Sequence, residues 1–440
     1  MPKKVYIETY GCQMNVADSE VVVAILSDAG FESSENINDA DLILINTCSI
    51  RENAEQRIWG RLKAISHLKK KKSSIRIGII GCMAERLKDK LLEKEQLVDI
   101  VVGPDAYREL PFLVAEAESD HKVVNVLLSH EETYADISPV RLDKNGVSSF
   151  VSIMRGCNNM CAYCVVPYVR GAERSRDPGS ILREVRELSD KGYREVTLLG
   201  QNVDSYDWKN DSHIIRFPEL IEKVSLVNPL LRVRFSTSHP KDLSDNLLKK
   251  MSEHENICRH IHLPAQSGSS RILKLMNREY TREWYMERIE SIRSFLPDCS
   301  LSTDMITGFC TETEDDHKAS LSLMQWAGFD FAYMFKYSER PGTKAARKYE
   351  DDVPEEVKTN RLNEMINMQN SLSLMSKKND VGKTFEVLTE GYSKRSKEYL
   401  SGRTSQNKVV VFPGGNHTKG EYVRVLVEKC TSATLIGKII

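Results

Sequence analysis

The residues best suited to chemistry in this sequence are cysteines. There are ten, and three of them, Cys157, Cys161 and Cys164, stand as CNNMCAYC directly after the strand-like run SFVSIMRG. Three thiolates this close can hold one corner of an iron–sulfur cube, and with no fourth cysteine nearby one iron keeps an open position for a small ligand. Two other readings stand beside this one: a structural zinc loop, which wants four protein ligands in tetrahedral closure, and a chance local cluster. Cys12, Cys48 and Cys82 are far apart in sequence, yet each falls just beyond an apolar run, in IETYGC, LINTC and GIIGC. If those runs are neighbouring parallel strands, their carboxyl ends open on one crevice and the three thiolates converge there. The alternative is that small, easily buried residues happen to follow strands. Cys258, Cys299, Cys310 and Cys430 show no such spacing and read as core or incidental.

The elements that must position these thiols follow from hydrophobic periodicity. Residues 1–130 alternate KVYIETYG, the helical SEVVVAILSDAG ending at Gly30, DLILINTC, a helix from about Ala54 to Leu68, IRIGIIGC and VDIVVG. That alternation predicts a doubly wound parallel sheet. Residues 131–146 lack periodicity and read as a linker. Over 147–376 the runs SFVSIMRGC, EVTLLGQN, LRVRFSTSHP, RHIHLPAQSGS, LSTDMITGF and FDFAYMFKYS predict about six β/α units, a closed or partial barrel whose chemistry sits at the carboxyl ends of its strands. A helix after Pro354, with Leu362, Met365, Ile366, Met368, Leu372 and Met375 on one side, leads into 377–440. There five short runs broken by Gly and Pro predict a small antiparallel barrel. The chain is thus α/β with a terminal β-module.

With 440 residues, 40% hydrophobic and 28% charged, the chain can bury a large core, and its formal net charge of −1 excludes a generally basic nucleic-acid coat. The start MPKKVYIETYGC has no apolar h-region and no run approaches a membrane span, so the expected location is the cytoplasm, where thiols stay reduced for metal binding. From Val381 onward, however, ten basic residues face five acidic ones, with Tyr392, Tyr399 and Phe412 interleaved. That is either a nucleic-acid surface or a solvated face. The run Lys69 to Lys72 reads as a solvated helix end.

The motifs GCQMN (11–15), NTC (46–48), GCM (81–83), RGCNNMCAYCVVPYVRGAERSR (155–176) and YSERPGT (337–343) resemble the methylthiotransferases of the radical S-adenosylmethionine superfamily. LLGQNVDSY (198–206) and HLPAQSGS (262–269) are similar to the branch acting on isopentenylated adenosine beside the anticodon of transfer RNA, rather than the ribosomal-protein or threonylcarbamoyl-adenosine branches. One departure is Cys310 in GFCTETEDD, where most members carry proline. It reads as a variant of a barrel turn, not a further ligand.

The resemblance implies two [4Fe–4S] clusters, on Cys12, Cys48 and Cys82 (auxiliary) and on Cys157, Cys161 and Cys164 (radical SAM), with a partial (β/α)6 barrel and a C-terminal TRAM barrel. It implies methylthiolation at C2 of N6-isopentenyladenosine, with two S-adenosylmethionine consumed per product and the auxiliary cluster as sulfur source. The implied partners are an anticodon stem-loop and an electron-donor protein, with the enzyme itself a monomer away from membranes. For S-adenosylmethionine the expected contacts are Tyr163 and the strand-end residues Gln201, Asn202, Ser236, Thr237, Gln266 and Ser267; turn and cap roles are the alternative. For RNA they are Arg170, Arg174 and Arg176 beside the cysteine loop, and Lys394, Arg395, Lys397 and Arg403 in the tail.

Overall fold

A computed structural model of the chain describes residues 2–48, 52–88, 90–94, 97–119, 121–143, 145–210 and 212–440. The N-terminal domain is a parallel sheet of β1 (Lys4–Tyr10), β2 (Glu32–Ser33), β3 (Leu42–Thr47), β4 (Arg76–Gly81), β5 (Ile100–Val102) and β6 (Val123–Asn125). Their order is β2-β1-β3-β4-β5-β6. LILINT and RIGIIG are buried along their whole length, as central strands must be when helices cover both faces. The order reverses direction between β1 and β3, the switch point where such sheets open a crevice. Helix α1 (Gln13–Asp28) follows β1, α2 (Glu52–Lys71) follows β3 and α3 (Cys82–Leu87) follows β4. Lys69 and Lys72, in and just after the last turn of α2, pair with Asp99 and Asp41, as a helix end at the sheet surface does.

In the central domain β7 (Ser148–Ser152) is followed by α4 (Val166–Arg170), α5 (Pro178–Asp190), β8 (Glu195–Leu199) and β9 (Arg232–Phe235). Then come β10 (His260–His262), β11 (Ser300–Thr307) and β12 (Phe331–Lys336). They form two parallel half-sheets, β9-β8-β7 and β10-β11-β12, stitched by a bridge between Val233 and Ile257 and by Ser238 N donating to His262 O at 3.2 Å. Among the described residues no pairing joins β12 back to β7, so the six-stranded barrel is partial. Val196, Leu198, Val233, Ile261, Leu301 and Met305 face outward into the main core with the covering helices.

Helix α6 (Glu355–Lys378) keeps part of its expected apolar stripe, with Met365 in the main core and Met368 and Leu372 packed against it. Its buried residues are Lys358, Arg361, Met365, Gln369, Ser373 and Lys377, while Met375 is exposed. The reason is that α6 seals the open edge of the barrel through polar contacts: Gln369 Nε2 donates to Phe329 O at 2.8 Å and Ser373 Oγ to Asp330 O at 2.8 Å.

The terminal module is a closed barrel of β13 (Thr384–Ser393), β14 (Ser396–Thr404), β15 (Val409–Pro413), β16 (Tyr422–Cys430) and β17 (Leu435–Ile439). Its pairs are antiparallel except β15 with β17, because β17 inserts between β15 and β16 to close the ring. It docks beneath the central barrel, where Arg232 donates to Arg403 O at 2.7 Å and Arg234 to Thr404 O at 2.7 Å. Among the described residues no helix is long and apolar enough to cross a membrane.

Candidate active site

The motif residues around the N-terminal cysteines explain each other. Asn15, on the first turn of α1, donates through Nδ2 to Asn46 Oδ1 at 2.9 Å, and Asn46 Nδ2 donates to Asn15 O at 2.8 Å and Ser19 Oγ at 2.9 Å. Both amides are fully buried and lock the ends of β1 and β3 together. The glycines beside the cysteines make room for them. A Cβ on Gly11 would lie 2.4 Å from Asn15 Oδ1, and one on Gly81, at φ +89°, 2.5 Å from Asn46 Oδ1. The three thiols are thereby brought to one crevice. The Cys48 thiol hydrogen-bonds Cys12, and with Arg170 it lowers the Cys12 thiol to about 6; burial raises Cys82.

The crevice is closed by the central domain. Asp18 of α1 accepts from Arg155 Nη1 at 2.8 Å and from Arg170 Nη2 at 2.8 Å, while Asp105 accepts from Arg174 Nη2 at 3.0 Å and lies 3.5 Å from Arg155 Nε. Arg141 of the linker joins Glu20 of α1 at 2.7 Å to Glu184 of α5. Tyr134, also in the linker, stacks on Tyr107 and carries the Arg155 guanidinium 4.9 Å from its ring centre. Residues 131–146, of which Lys144 lies outside the described residues, are therefore packed mortar between the domains, and α1 is buried on both sides. Asp18, Asp105 and Arg155 were missed as site residues. The available signal was Asp18 and Glu20 inside an otherwise apolar helical run.

The second triad lies against the same seam. Cys157 N donates to Gly171 O at 3.2 Å, and the residue before that glycine, Arg170, donates through Nε to Cys82 Sγ at 3.2 Å. The two cysteine sets thus meet at opposite ends of one short segment. Gly156, at φ +73°, is required there because a Cβ would sit 2.0 Å from Ala172 O. Arg278, also missed, is fully engaged: Nη1 donates to Cys161 Sγ at 3.3 Å, Nε to Tyr280 Oη at 3.0 Å and Nη2 to Pro264 O at 3.1 Å. Burial pushes the Cys157 thiol up to about 11 and that of Cys164 to about 12. Thiols so placed become thiolates only when a cation joins them.

These residues fit iron–sulfur groups better than zinc. Tetrahedral zinc with Zn–S near 2.3 Å draws its sulfurs to about 3.8 Å from one another. Among the described residues the one group of three ligand atoms within 4.8 Å of each other is Glu222, Glu253 and His254, and neither cysteine triad is drawn that tight. Cys310 is buried in the cluster of Ala162, Phe309 and Tyr337.

The strand-end residues separate into two groups. Thr237 and Gln266 hold positive φ values of 62° and 68°, costly for side-chain-bearing residues and concentrated at functional sites. The Gln266 Oε1 is buried without a partner, and Gln201 and Ser236 are half-buried at the same mouth. Asn202 donates to Asp242 Oδ2 at 2.7 Å and keeps Oδ1 unpartnered. Ser267, by contrast, is fully buried on Ser320 Oγ and Ser269 N, so it is a turn residue without access to a ligand. Tyr163 packs beside the loop with its Oη 3.5 Å from Arg278.

The expected phosphate contacts also divide. Arg170, Arg174 and Arg176 are buried on Asp18, Asp105 and Glu184, so they are structural cations and do not face solvent phosphates. Arg403 is tied to Glu390 at 3.1 Å. Lys394, Arg395 and Lys397 are exposed around the β13–β14 turn beside Tyr392 and Tyr399, and no ion pair among the described residues engages them. Sequence reasoning also missed the face of β12 at the open edge of the barrel. Phe331 and Tyr333 are 48% and 50% exposed there, on the side where Tyr333 meets His262 edge-on.

Comparison with known proteins agrees with this geometry. Residues 4–103 match the profile described as uncharacterized protein family UPF0004, 151–324 the radical SAM superfamily and 378–440 the TRAM domain. The chain is 59% identical over 437 residues to the tRNA-2-methylthio-N(6)-dimethylallyladenosine synthase of Phocaeicola vulgatus, covering 99% of this chain and 96% of that one. It is 54% identical over 441 residues to the same-named protein of Porphyromonas gingivalis, covering 100% and 95%. The chain belongs to the tRNA-2-methylthio-N(6)-dimethylallyladenosine synthase family. Among solved structures it is similar to the radical S-adenosylmethionine methyltransferase TsrM from Kitasatospora setae, determined with cobalamin and a [4Fe–4S] cluster, with TM-score 0.61 and 13% identity over 79% of this chain and 77% of that one. It is also similar to the cobalamin-dependent radical enzyme OxsB, with TM-score 0.55 and 12% identity over 84% and 56%. For this member of the synthase family, those two likenesses speak to fold alone.

Proposed function

We propose that this protein is a radical S-adenosylmethionine enzyme that inserts a methylthio group at C2 of N6-isopentenyladenosine next to the anticodon of transfer RNA. The observation that carries the reading is the meeting of two cysteine triads across one buried seam, in a chain alike over its whole length to named synthases. The target C2–H is neither acidic nor attached to a leaving group, so side-chain acid–base or nucleophilic catalysis does not open it. When bound, two [4Fe–4S] clusters supply the electron that cleaves S-adenosylmethionine to an adenosyl radical and the sulfur that is transferred.

The chain's own residues do the rest. Cys157, Cys161 and Cys164 hold one cluster and Cys12, Cys48 and Cys82 the other. Gln201, Ser236, Thr237 and Gln266, at the barrel mouth, bind S-adenosylmethionine with Asn202 and Tyr163. Helix α1 lies over the barrel beside Leu199 and Phe150 and excludes water from that side. Phe331 and Tyr333 offer stacking faces for unpaired bases, and Lys394, Arg395 and Lys397 offer charge to the loop phosphates. The enzyme works as a cytoplasmic monomer reduced by an electron-donor protein.

The test is anaerobic reconstitution with iron, sulfide and Mössbauer analysis, then incubation with an isopentenylated anticodon stem-loop, S-adenosylmethionine and reductant. About eight irons per chain and a methylthiolated loop are expected. About four irons, or S-adenosylmethionine cleavage with no sulfur in the loop, overturns the reading.

A further inference from the structure

The seam between the domains carries an uneven set of charges. Arg155, Arg170 and Arg174 are each nearly completely buried, and the carboxylates they reach are two, Asp18 and Asp105. The neighbouring Glu85 does not restore the balance, because burial raises its carboxyl to about 7 and its salt-bridge partner is Lys88 at 3.6 Å. Arg141 and Arg176 are matched separately by Glu20 and Glu184. The remaining positive charge is met in the cysteine crevice, where Arg170 lies beside the Cys12 and Cys82 thiols. The surplus points in a definite direction. Arg170, 2% exposed, is held by Asp18 through Nη2, donates through Nε to Cys82 Sγ at 3.2 Å, and keeps Nη1 buried without a partner.

We propose that Arg170 is a positioning residue of the N-terminal cysteine site: a guanidinium supplied by the radical domain that hydrogen-bonds Cys82 and presents Nη1 to the inorganic sulfur held by Cys12, Cys48 and Cys82. This rests on reading that site as an iron–sulfur site. A cluster on three thiolates is anionic, and a fixed cation with two donors on its sulfurs stabilises the more reduced, more negative state. The arginine therefore raises the reduction potential of the sulfur-supplying cluster. It does so only when the two domains are docked, since Arg170 is anchored by Asp18 on one side and by the loop of the other cluster on the other. The Cys82 side chain lies on the first turn of α3, which packs directly against α4, so the contact is set by the docking of two short helices and not by a mobile loop.

The experiment uses the full-length chain carrying Cys157→Ala, Cys161→Ala and Cys164→Ala, so that only the N-terminal cluster reports. Iron content, Mössbauer and EPR spectra and the midpoint potential are measured with Arg170 intact, with Arg170→Gln and with Arg170→Lys. About four irons per chain are expected with Arg170 intact. The midpoint should move to more negative values in Arg170→Gln, and by less in Arg170→Lys, which keeps the charge and loses the forked donors. Should Arg170→Gln fail to fold, Arg170→Lys, which preserves the pairing with Asp18, decides the matter alone. Four irons with an unmoved potential and unchanged spectra in the folded variants overturn the role of Arg170. No iron in the chain with Arg170 intact overturns instead the cluster reading beneath it.

Discussion

Replacing Asp18 by Asn should loosen the docking of the N-terminal sheet on the barrel. The Asp18 carboxylate is 1% exposed and accepts two guanidinium hydrogen bonds of 2.8 Å from the other domain. Asparagine keeps the shape but removes the charge, and turns an amide donor toward one of the two arginines, leaving three buried guanidinium groups to a single carboxylate. Breaking a buried pair in this way costs about 3–5 kcal/mol. At 1.4 kcal/mol per factor of ten, that is roughly a 10²- to 10⁴-fold change in the balance between docked and opened forms. Hydrogen exchange reads it directly. Val140 N donates to Glu20 O and Leu142 N to Glu20 Oε1, so these amides are protected only while the linker stays on α1. Burial alone raises the Asp18 carboxyl, but Arg155 and Arg170 outweigh it and hold it below its ordinary value. Its contribution is therefore complete above the unfolded carboxyl pKa, about 3.9, and is lost only as pH falls through the lower folded value. The difference between wild type and Asp18→Asn should accordingly be flat from pH 6 to pH 8. Exchange of the α1 and 138–143 peptides within threefold of wild type, at full iron content, would refute the clamp.

Two further outcomes follow from single positions. Gly156→Ala places a Cβ 2.0 Å from a backbone oxygen at φ +73°, so the loop closure between Cys157 and Gly171 should fail. Iron analysis should find about four of about eight irons left, and retention of all of them would count against that closure. Burial pushes the Asp204 carboxyl up to about 8, outweighing the opposing pull of Ser238 and the His239 amide. Ionising it therefore opposes folding, and stability should fall as pH rises from about 4 through 8. Asp204→Asn should remove that slope, so its melting temperature should exceed that of wild type by a margin that widens between pH 5 and pH 9; parallel curves would show that the carboxyl is not buried this way.

The sequence by itself determined the elements and the thiols. Apolar runs of five or six residues ending in cysteine can form only a narrow set of structures, and CNNMCAYC keeps its three sulfurs together in any fold because the spacing is local. The terminal barrel and the six β/α units were legible for the same reason: period and turn chemistry are short-range properties. The partnership of Asn15 and Asn46 became visible only when β1 and β3 were paired. What the tertiary structure alone decided is the role of the charges. Arg170, Arg174 and Arg176 have the same composition and spacing as a phosphate-gripping stretch, and only the tertiary structure turns them inward, Arg170 onto Asp18 of α1, Arg174 onto Asp105 after β5 and Arg176 onto Glu184 of α5. The buried polar residues of α6 also came from the tertiary structure, because beside the apolar contacts of Met365, Met368 and Leu372 the helix meets carbonyls at the barrel edge. A charged side chain in sequence has no sign of its partner. The partner arrives from more than a hundred residues away, as Asp18 does for Arg155, and burial then makes that pairing obligatory.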